Sequence, residues 1–321
     1  MSEIIFPLAG KRIWIAGHRG MVGSAVRRRL AAEQCDVIVA ERRDLDLTKQ
    51  DDVEKWLNAQ RPDAIVMAAA KVGGIAANDR YPAEFIYNNL IIEANVIGAA
   101  HRADINHLLF LGSSCIYPKF AAQPIVEDAL LTGSLEPTNE WYAIAKIAGI
   151  KLCQAFQRQY GRRYISAMPC NLYGPGDNFD LQISHVLPAL IRKAHEAKLT
   201  NAREMTIWGS GKPRREFLHV DDCADGLILL LERYSGTAHV NVGFGGDISV
   251  GDLAALIANV VGYKGGVRTD PSKPDGAPRK LMSSERVRAL GWRPRIDLEE
   301  GIRRTYKWYL ENQRLPSEAI A

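Results

Sequence analysis

The sequence predicts an α/β protein in which a doubly wound parallel sheet is joined to a smaller lobe. Three observations support this class. Short apolar segments alternate with amphipathic ones from residue 11 to residue 170, a glycine-rich turn follows the first apolar segment, and the alternation loosens after residues 173–175. Parallel strands need crossover connections, which are usually helices that cover the faces of the sheet.

The first predicted strand covers residues 13–16, and residues 24–33 are expected to form the helix that follows. The turn between them carries glycines in the spacing G-x-x-G-x-x-G. Glycines permit a tight turn and let backbone N–H groups approach a pyrophosphate at a helix N-terminus, although the same pattern can be a plain turn. The predicted dinucleotide contacts are Gly17, His18, Arg19, Gly20, Met21, Val22 and Gly23.

The second strand, predicted over residues 37–40, should end beside the adenosine ribose of such a cofactor. Two opposite signals follow it in the sequence. Glu41 could bind a ribose 2′-hydroxyl and favour NAD, whereas Arg42 and Arg43 could bind a 2′-phosphate and favour NADP. These residues alone leave the choice between the two cofactors open.

The alternation then continues to the middle of the chain. Helices are expected at 49–60 and 82–102, and strands at 64–70 and 107–112. The strand at 64–70 is wholly apolar, as expected for a parallel sheet that is buried on both faces. Residue 113 therefore follows a strand at the carboxyl edge of the sheet, where ligands bind in open α/β folds.

Changes in pattern also suggest a discontinuous division of the chain. Residues 221–233 and 239–243 look like a helix and a strand that return to the main sheet, whereas their flanks carry glycine, proline and basic clusters. We therefore predict a Rossmann-type nucleotide-binding domain at 1–177 and 218–248. The predicted substrate-binding domain comprises 178–217 and 249–321.

Composition and charge favour a protein that acts on small molecules. The 321 residues are 47% hydrophobic, and a net charge of +4 makes no case for nucleic acid but suits anionic small molecules. Five cysteines without a Cys-x-x-Cys motif predict a reducing compartment, with neither a disulfide framework nor a metal site. We find neither a secretory pattern nor a membrane-spanning apolar stretch, so we expect a soluble cytoplasmic protein with no membrane partner.

A possible catalytic group lies on the helix predicted near residues 139–160. Tyr142 and Lys146 are four residues apart and so share one helix face. A nearby ammonium favours the phenolate and lowers the pKa of a tyrosine, which makes the hydroxyl usable as an acid. Ser113 is placed to hydrogen-bond a substrate carbonyl beside Tyr142; a serine here would otherwise indicate a helix cap or a turn, but Tyr142 and Lys146 favour the catalytic role.

The glycine turn, Ser113 and the Tyr142–Lys146 pair together resemble the extended short-chain dehydrogenase/reductases. Longer strings are similar to one family among them, the GDP-L-fucose synthases, and cover almost the whole chain. The matching strings are residues 69–75, 111–119, 135–140, 142–149, 171–175, 208–211, 214–222 and 272–280. Trp141 departs from the pattern, which has a proline or another small residue there in some members.

The resemblance implies NADPH as cofactor and an acid–base pair formed by Cys115 and His185. It implies cofactor contacts at Arg43, Leu111, Gly112, Ser113, Ser114, Lys146, Asn171, Leu172, Tyr173 and His185. It implies contacts to a GDP-sugar at Lys193, Trp208, Arg215, Asp275 and Arg279. Cations suit the diphosphate, and an indole offers a flat face to guanine. A homodimer through the helices near 82–102 and 139–160 is also implied.

The implied reaction starts from GDP-4-keto-6-deoxy-D-mannose, whose ketone acidifies the C–H bonds at C3 and C5. Cys115 and His185 would exchange the protons at these carbons, and NADPH would then reduce C4 while Tyr142 donates a proton. Two alternatives remain: a sugar-nucleotide 4-epimerase or dehydratase with tightly bound NAD, and a non-enzymatic NAD(P)-binding regulator. Cys115 with His185 argues against the first, and the retained Ser113, Tyr142 and Lys146 argue against the second.

Overall fold

The computed structural model of the protein describes residues 3–273 and 275–312, apart from the side chains of residues 75 and 76. The strands are β1 Arg12–Ala16, β2 Asp36–Ile38, β3 Ala64–Met67, β4 His107–Leu111, β5 Arg163–Pro169, β6 Asn171–Tyr173, β7 Glu204–Trp208, β8 Arg214–His219, β9 Val240–Val242, β10 Asp247–Ser249, β11 Gly266–Asp270 and β12 Arg279–Lys280. The α-helices are α1 Met21–Leu30, α2 Gln50–Gln60, α3 Ile75–Arg80, α4 Pro82–Arg102, α5 Glu140–Tyr160, α6 Val186–Leu199, α7 Val220–Arg233, α8 Val250–Val261, α9 Glu285–Ala289 and α10 Leu298–Asn312. Short 3₁₀ turns lie at Ser114–Ile116, Glu127–Ala129 and Pro137–Asn139.

The main sheet has six parallel strands within the described residues, in the order β2-β1-β3-β4-β5-β9. Its central strands consist of apolar residues that are buried on both faces, as in β3, where all four residues are inaccessible to solvent. Such strands bury apolar surface only when helices cover both sides of the sheet. The predicted fold class is therefore confirmed, and the carboxyl edge of the sheet carries the residues that follow β1, β4 and β5.

Two predicted boundaries need correction. The second strand ends at Ile38 rather than residue 40, and the third at Met67 rather than residue 70. Both strands end early at the carboxyl edge of the sheet, where the backbone leaves the parallel pairing and enters the loops that line the crevice. Helix α1 begins at Met21, within the glycine turn, because Gly20 takes an extended conformation and serves as its N-cap.

A second group of pairings lies beyond the main sheet. Strand β8 pairs with β6, β10 and β12, and β7 pairs with β11. A separate buried apolar cluster fills this part, with members from α6, α8 and α10 such as Leu187, Leu253 and Ile302. The predicted division at residues 177, 217 and 248 stays a prediction, and its last residues, 313–321, lie outside the described part, as does residue 274. Helices in residues 3–273 and 275–312 are too short or too polar to cross a membrane.

Candidate active site

The glycine turn brings the end of β1 against the start of α1. Gly17 has a φ of +87°, and a Cβ at Gly23 would lie 2.1 Å from the carbonyl oxygen of Gly17, so only glycine fits. Neither a side-chain cap nor an acidic residue occupies the first turn of α1. The turn can therefore direct backbone N–H groups and the positive end of the helix dipole at an anion such as a pyrophosphate.

The residues after β2 differ sharply in their surroundings. The Glu41 carboxylate lies 3.3 Å from Nε2 of His18 and 2.8 Å from Nη2 of Arg19. Desolvation opposes its charge, but Arg19 and His18 hold the pKa of Glu41 below its usual value. Arg43 is 85% exposed and lies 3.7 Å from Asp44. Glu41 is thus already bound within the turn, whereas Arg43 can reach a phosphate from solvent.

Ser113 lies two residues beyond the end of β4. Its hydroxyl accepts a 3.4 Å hydrogen bond from the backbone N–H of Cys115, so it caps the 3₁₀ turn at Ser114–Ile116. The capping interpretation is therefore correct for the accepting lone pair, while the hydroxyl proton remains available to a ligand. The same hydrogen bond fixes the backbone of Cys115, whose side chain is 8% exposed.

Tyr142 lies in the first turn of α5, half-buried and edge-on to the ring of Phe85. The ammonium of Lys146 lies 5.8 Å from the centroid of the Tyr142 ring and 3.0 Å from Oε1 of Glu93. Burial raises the pKa of Tyr142 well above its usual value, and Cys115 and Glu93 raise it further. Burial therefore outweighs any lowering of this pKa by Lys146, and the predicted effect of that lysine stays a prediction.

Cys115, His185 and a lysine that the sequence analysis did not single out converge on the same space. Burial raises the pKa of the Cys115 thiol, and the positive charge of Lys280 is the largest opposing influence, followed by Ser113 and Lys146. The pKa of His185 is lowered, first by burial and then by Lys280. Lys280 thus acts on both members of the predicted acid–base pair, and burial lowers the pKa of Lys280 itself while Cys115 opposes that change.

The loop that carries His185 is supported from the first half of the chain. The N–H of Gly74 donates to the carbonyl of Ile183 at 2.8 Å. Residues 180–184 form a turn, and His185 follows it as the N-cap of α6. His185 keeps some solvent-exposed surface, although the protein atoms around its ring are dense enough to lower the pKa of the imidazole. This contact explains how two sequence motifs far apart in the chain reach one site.

The segment 171–173, predicted to contact the cofactor, is partly packed within the protein. Asn171 donates from Nδ2 to the carbonyl of Glu216 at 2.9 Å, and Leu172 is half-buried. The Tyr173 ring is 1% exposed and packs edge-on against Phe217 and His219. Its side chain belongs to the second apolar cluster, so a cofactor can contact Tyr173 only through its backbone.

The predicted substrate residues form a group around Trp208, which is 57% exposed. The ammonium of Lys193 lies 5.5 Å from the Trp208 ring centroid, and that of Lys273 lies 5.6 Å from it. Asp275 accepts hydrogen bonds from the N–H and the hydroxyl of Ser210, at 2.8 and 2.7 Å. An indole flanked by ammonium groups suits an aromatic, anionic ligand.

The two predicted arginines lie on neighbouring strands but have different partners. Arg215 is half-buried and stands opposite Lys280 in the β8–β12 ladder. Arg279 instead pairs with Asp247, which Arg214 also binds. The charge of Arg279 is therefore largely neutralised, so Arg215 and Lys280 are the better placed cations for a diphosphate.

Comparison with known proteins now decides the family. Residues 13–243 match the NAD dependent epimerase/dehydratase family. The chain belongs to that family. It is 62% identical over 308 residues to a GDP-L-fucose synthase of Sinorhizobium fredii, with 96% of this chain and 98% of the relative covered. It is 54% identical over 316 residues to the GDP-L-fucose synthase of Escherichia coli K12, with 95% and 98% covered.

Solved structures of this family agree with these matches. A GDP-L-fucose synthetase of Naegleria fowleri bound to NADP is 26% identical and superimposes with a TM-score of 0.89, covering 97% of this chain and 98% of that one. A GDP-6-OMe-4-keto-L-xylo-heptose reductase of Campylobacter jejuni is 34% identical, with a TM-score of 0.89 and coverage of 94% and 98%. The resemblance to GDP-L-fucose synthases that the motifs indicated is confirmed.

Proposed function

We propose that this enzyme converts GDP-4-dehydro-6-deoxy-D-mannose to GDP-L-fucose, through epimerisation at C3 and C5 and NADPH-dependent reduction at C4. The observation that carries the proposal is the convergence of two proton carriers of different kinds on one space. Cys115, held by Ser113, faces the Tyr142 phenol, and His185 approaches from α6. The high identity to proteins named GDP-L-fucose synthase supports the same substrate.

Cys115 and His185 exchange the protons at C3 and C5. The ketone at C4 acidifies the neighbouring C–H bonds, and hydrogen bonds from Ser113 and Tyr142 stabilise the enolate oxygen. One of the two side chains removes a proton from one face and the other returns a proton to the opposite face, which inverts the carbon. Lys280 favours the thiolate of Cys115 that this exchange requires.

Tyr142 donates the proton to the ketone oxygen during reduction. Bound NADPH supplies the hydride to C4, and the Tyr142 hydroxyl supplies the proton to the developing alkoxide. Lys146 lies one turn along α5, where it can also hold a ribose hydroxyl. The exposed Arg43 supports NADPH over NADH, as does the NADP-bound relative of similar fold.

The organisation of the molecule follows the same proposal. The nucleotide-binding domain comprises residues 1–177 and 218–248, and the substrate-binding domain comprises residues 178–217 and 249–321. A homodimer is supported by exposed apolar side chains on α4 and α5, namely Tyr87, Trp141 and Ile144. A cytoplasmic location suits a protein whose five cysteines are free thiols.

The decisive experiment mixes the purified enzyme with NADPH and the keto-sugar nucleotide and follows the absorbance of the reduced cofactor. Consumption of NADPH with formation of GDP-L-fucose is the expected result. A 4-epimerase or dehydratase with tightly bound NAD would leave NADPH unchanged, and so would a non-enzymatic regulator. Gly23→Ala serves as a control that should lose NADPH consumption, since its Cβ would meet the backbone of Gly17 within the pyrophosphate turn.

A further inference from the structure

Glu93 is a buried carboxylate of α4 that faces the active site across the interface with α5. Its Oε1 lies 3.0 Å from Nζ of Lys146, and each of the two side chains is 2% exposed. Neither carboxylate oxygen has a hydrogen-bond donor elsewhere in the described part of the chain. Burial raises the pKa of Glu93, and the charge and hydrogen bond of Lys146 oppose that rise, so an ionised Glu93 depends on Lys146.

The packing of α4 against α5 provides the space for this contact. A Cβ at Gly149 would lie 2.8 Å from Oε2 of Glu93 and 2.4 Å from the Phe110 ring. Glycine inside a helix costs stability relative to alanine, and the space that the carboxylate and the ring occupy explains its use here. Because Phe110 also lies 4.7 Å from Nζ, Lys146 is confined between the carboxylate, this ring and Tyr142.

We propose that Glu93 is a positioning residue that holds and neutralises Lys146, so that Tyr142 stays protonated and serves as the acid of reduction rather than the base of oxidation. This inference rests on the proposed function, because it assigns the protonation state in which Tyr142 enters that reduction. An unpaired ammonium beside a phenol favours the phenolate, whereas an ammonium paired with a carboxylate does so much less. Burial raises the pKa of Tyr142, and Glu93 adds to that effect together with Cys115.

The charged and titratable groups around Tyr142 come from three elements within the described residues. Helix α4 contributes Glu93, the 3₁₀ turn after β4 contributes Cys115, and α5 itself contributes Lys146. Cys153, on the far side of Lys146, is bound to Ser166 of β5, and its burial raises the pKa of its thiol to about 12. The adjoining end of β4 presents the uncharged Phe110 ring. Glu93 is therefore the nearby anion that can offset Lys146.

The test is the pH dependence of reduction in Glu93→Gln, which keeps the shape and removes the charge. We expect the alkaline limb of kcat/KM for NADPH-dependent reduction to move down by about one pH unit, the scale of one nearby charge in a protein. Glu93→Asp keeps the charge at a shorter reach and should move the limb less, in the same direction. Asn95→Ala is the control, because it removes another buried polar side chain of the same helix. The Asn95 amide donates to the carbonyl of Leu47, and its loss should leave the alkaline limb in place.

A second measurement does not need the substrate. Protein labelled with ¹³C at the tyrosine Cζ is titrated by NMR, with the Tyr142 resonance assigned from its loss in Tyr142→Phe. At any alkaline pH at which both proteins are folded, Tyr142 should be more ionised in Glu93→Gln than in wild type. Equal ionisation up to the pH of unfolding, or an unmoved kinetic limb in both Glu93 variants, overturns the inference. Wild-type protein that consumes no NADPH would instead refute the proposed function and leave the NMR comparison valid.

Discussion

Replacing Cys115 with serine should separate epimerisation from reduction. The change removes a sulfur and adds an oxygen in a side chain that is 8% exposed and lies at the rim of the core. Such a near-isosteric change at one position should cost no more than about 1 kcal/mol of folding free energy. The new hydroxyl also finds an acceptor nearby in Ser113, so we expect the fold and the cofactor turn to survive.

The chemical effect should be far larger than the effect on stability. A thiol has an ordinary pKa of about 8.5, whereas a hydroxyl hardly ionises at neutral pH. Burial raises the pKa of Cys115, and the positive charge of Lys280 opposes that rise. Loss of a positioned general base or acid typically slows a step by about 10² to 10⁴. We therefore expect exchange at one or both sugar carbons to fall by at least about 10².

The assay uses deuterium rather than turnover. Enzyme with oxidised cofactor and the keto-sugar nucleotide is incubated in heavy water, and deuterium at C3 and C5 is followed by NMR. Wild type should label both positions, and Cys115→Ser should lose label at one or both. With NADPH, the variant should still reduce the ketone slowly, which would give a D-sugar product. His185→Ala should also impair exchange, and wild-type exchange in both variants would refute the assignment of the carbon acid–base pair.

Four further outcomes test other parts of the site. Tyr142→Phe should lower reduction by about 10² or more while NADPH binding, measured by fluorescence titration, persists; near-normal turnover would remove Tyr142 from the mechanism. Arg43→Glu should weaken NADPH much more than NADH, and equal kcat/KM for both cofactors in wild type would contradict the choice of NADPH. Lys280→Met should slow deuterium exchange and raise its pH optimum, because the cation that favours the Cys115 thiolate is lost. Burial raises the pKa of Glu216 from 4.5 to about 7. Its carboxyl therefore stabilises the fold fully below pH 4.5, and urea unfolding of wild type relative to Glu216→Gln should show a loss of about 3 kcal/mol as the pH rises to 7; a flat difference would contradict this.

Local spacing was enough to predict part of this site. The glycine turn and the Tyr142–Lys146 pair are fixed by positions a few residues apart, and a helix or a turn converts such spacing directly into geometry. The burial of the Tyr173 side chain could not be predicted, because the inward face of a short strand cannot be assigned before its partner sheet is known. The ion pair of Arg279 with Asp247 could not be predicted for a related reason, since Asp247 reaches Arg279 only through the pairing of β10 and β12 with β8.

Glu93 and Lys280 were missed because nothing in the sequence around them signals chemistry. A glutamate in an apolar stretch of helix and a lysine after an arginine are common, and only the packing of α4 on α5 and of β12 on β8 brings them to the site. One signal was available: a charged residue within a predicted buried helix face is rarely fully buried unless it is paired. Searching predicted core faces for such residues would have found Glu93 but not Lys280.

Glu93 and Lys280 have opposite effects on the two proton carriers of one pocket. Epimerisation needs a thiol that can lose its proton, and reduction needs a phenol that keeps its proton until the hydride arrives. Burial alone would keep both groups protonated, since it raises the pKa of Cys115 and of Tyr142 alike. The structure places an opposing cation, Lys280, beside the thiol and pairs the cation beside the phenol with Glu93. Charge distribution, rather than the identity of the catalytic groups alone, thus lets one site exchange protons with carbon and then donate one to oxygen.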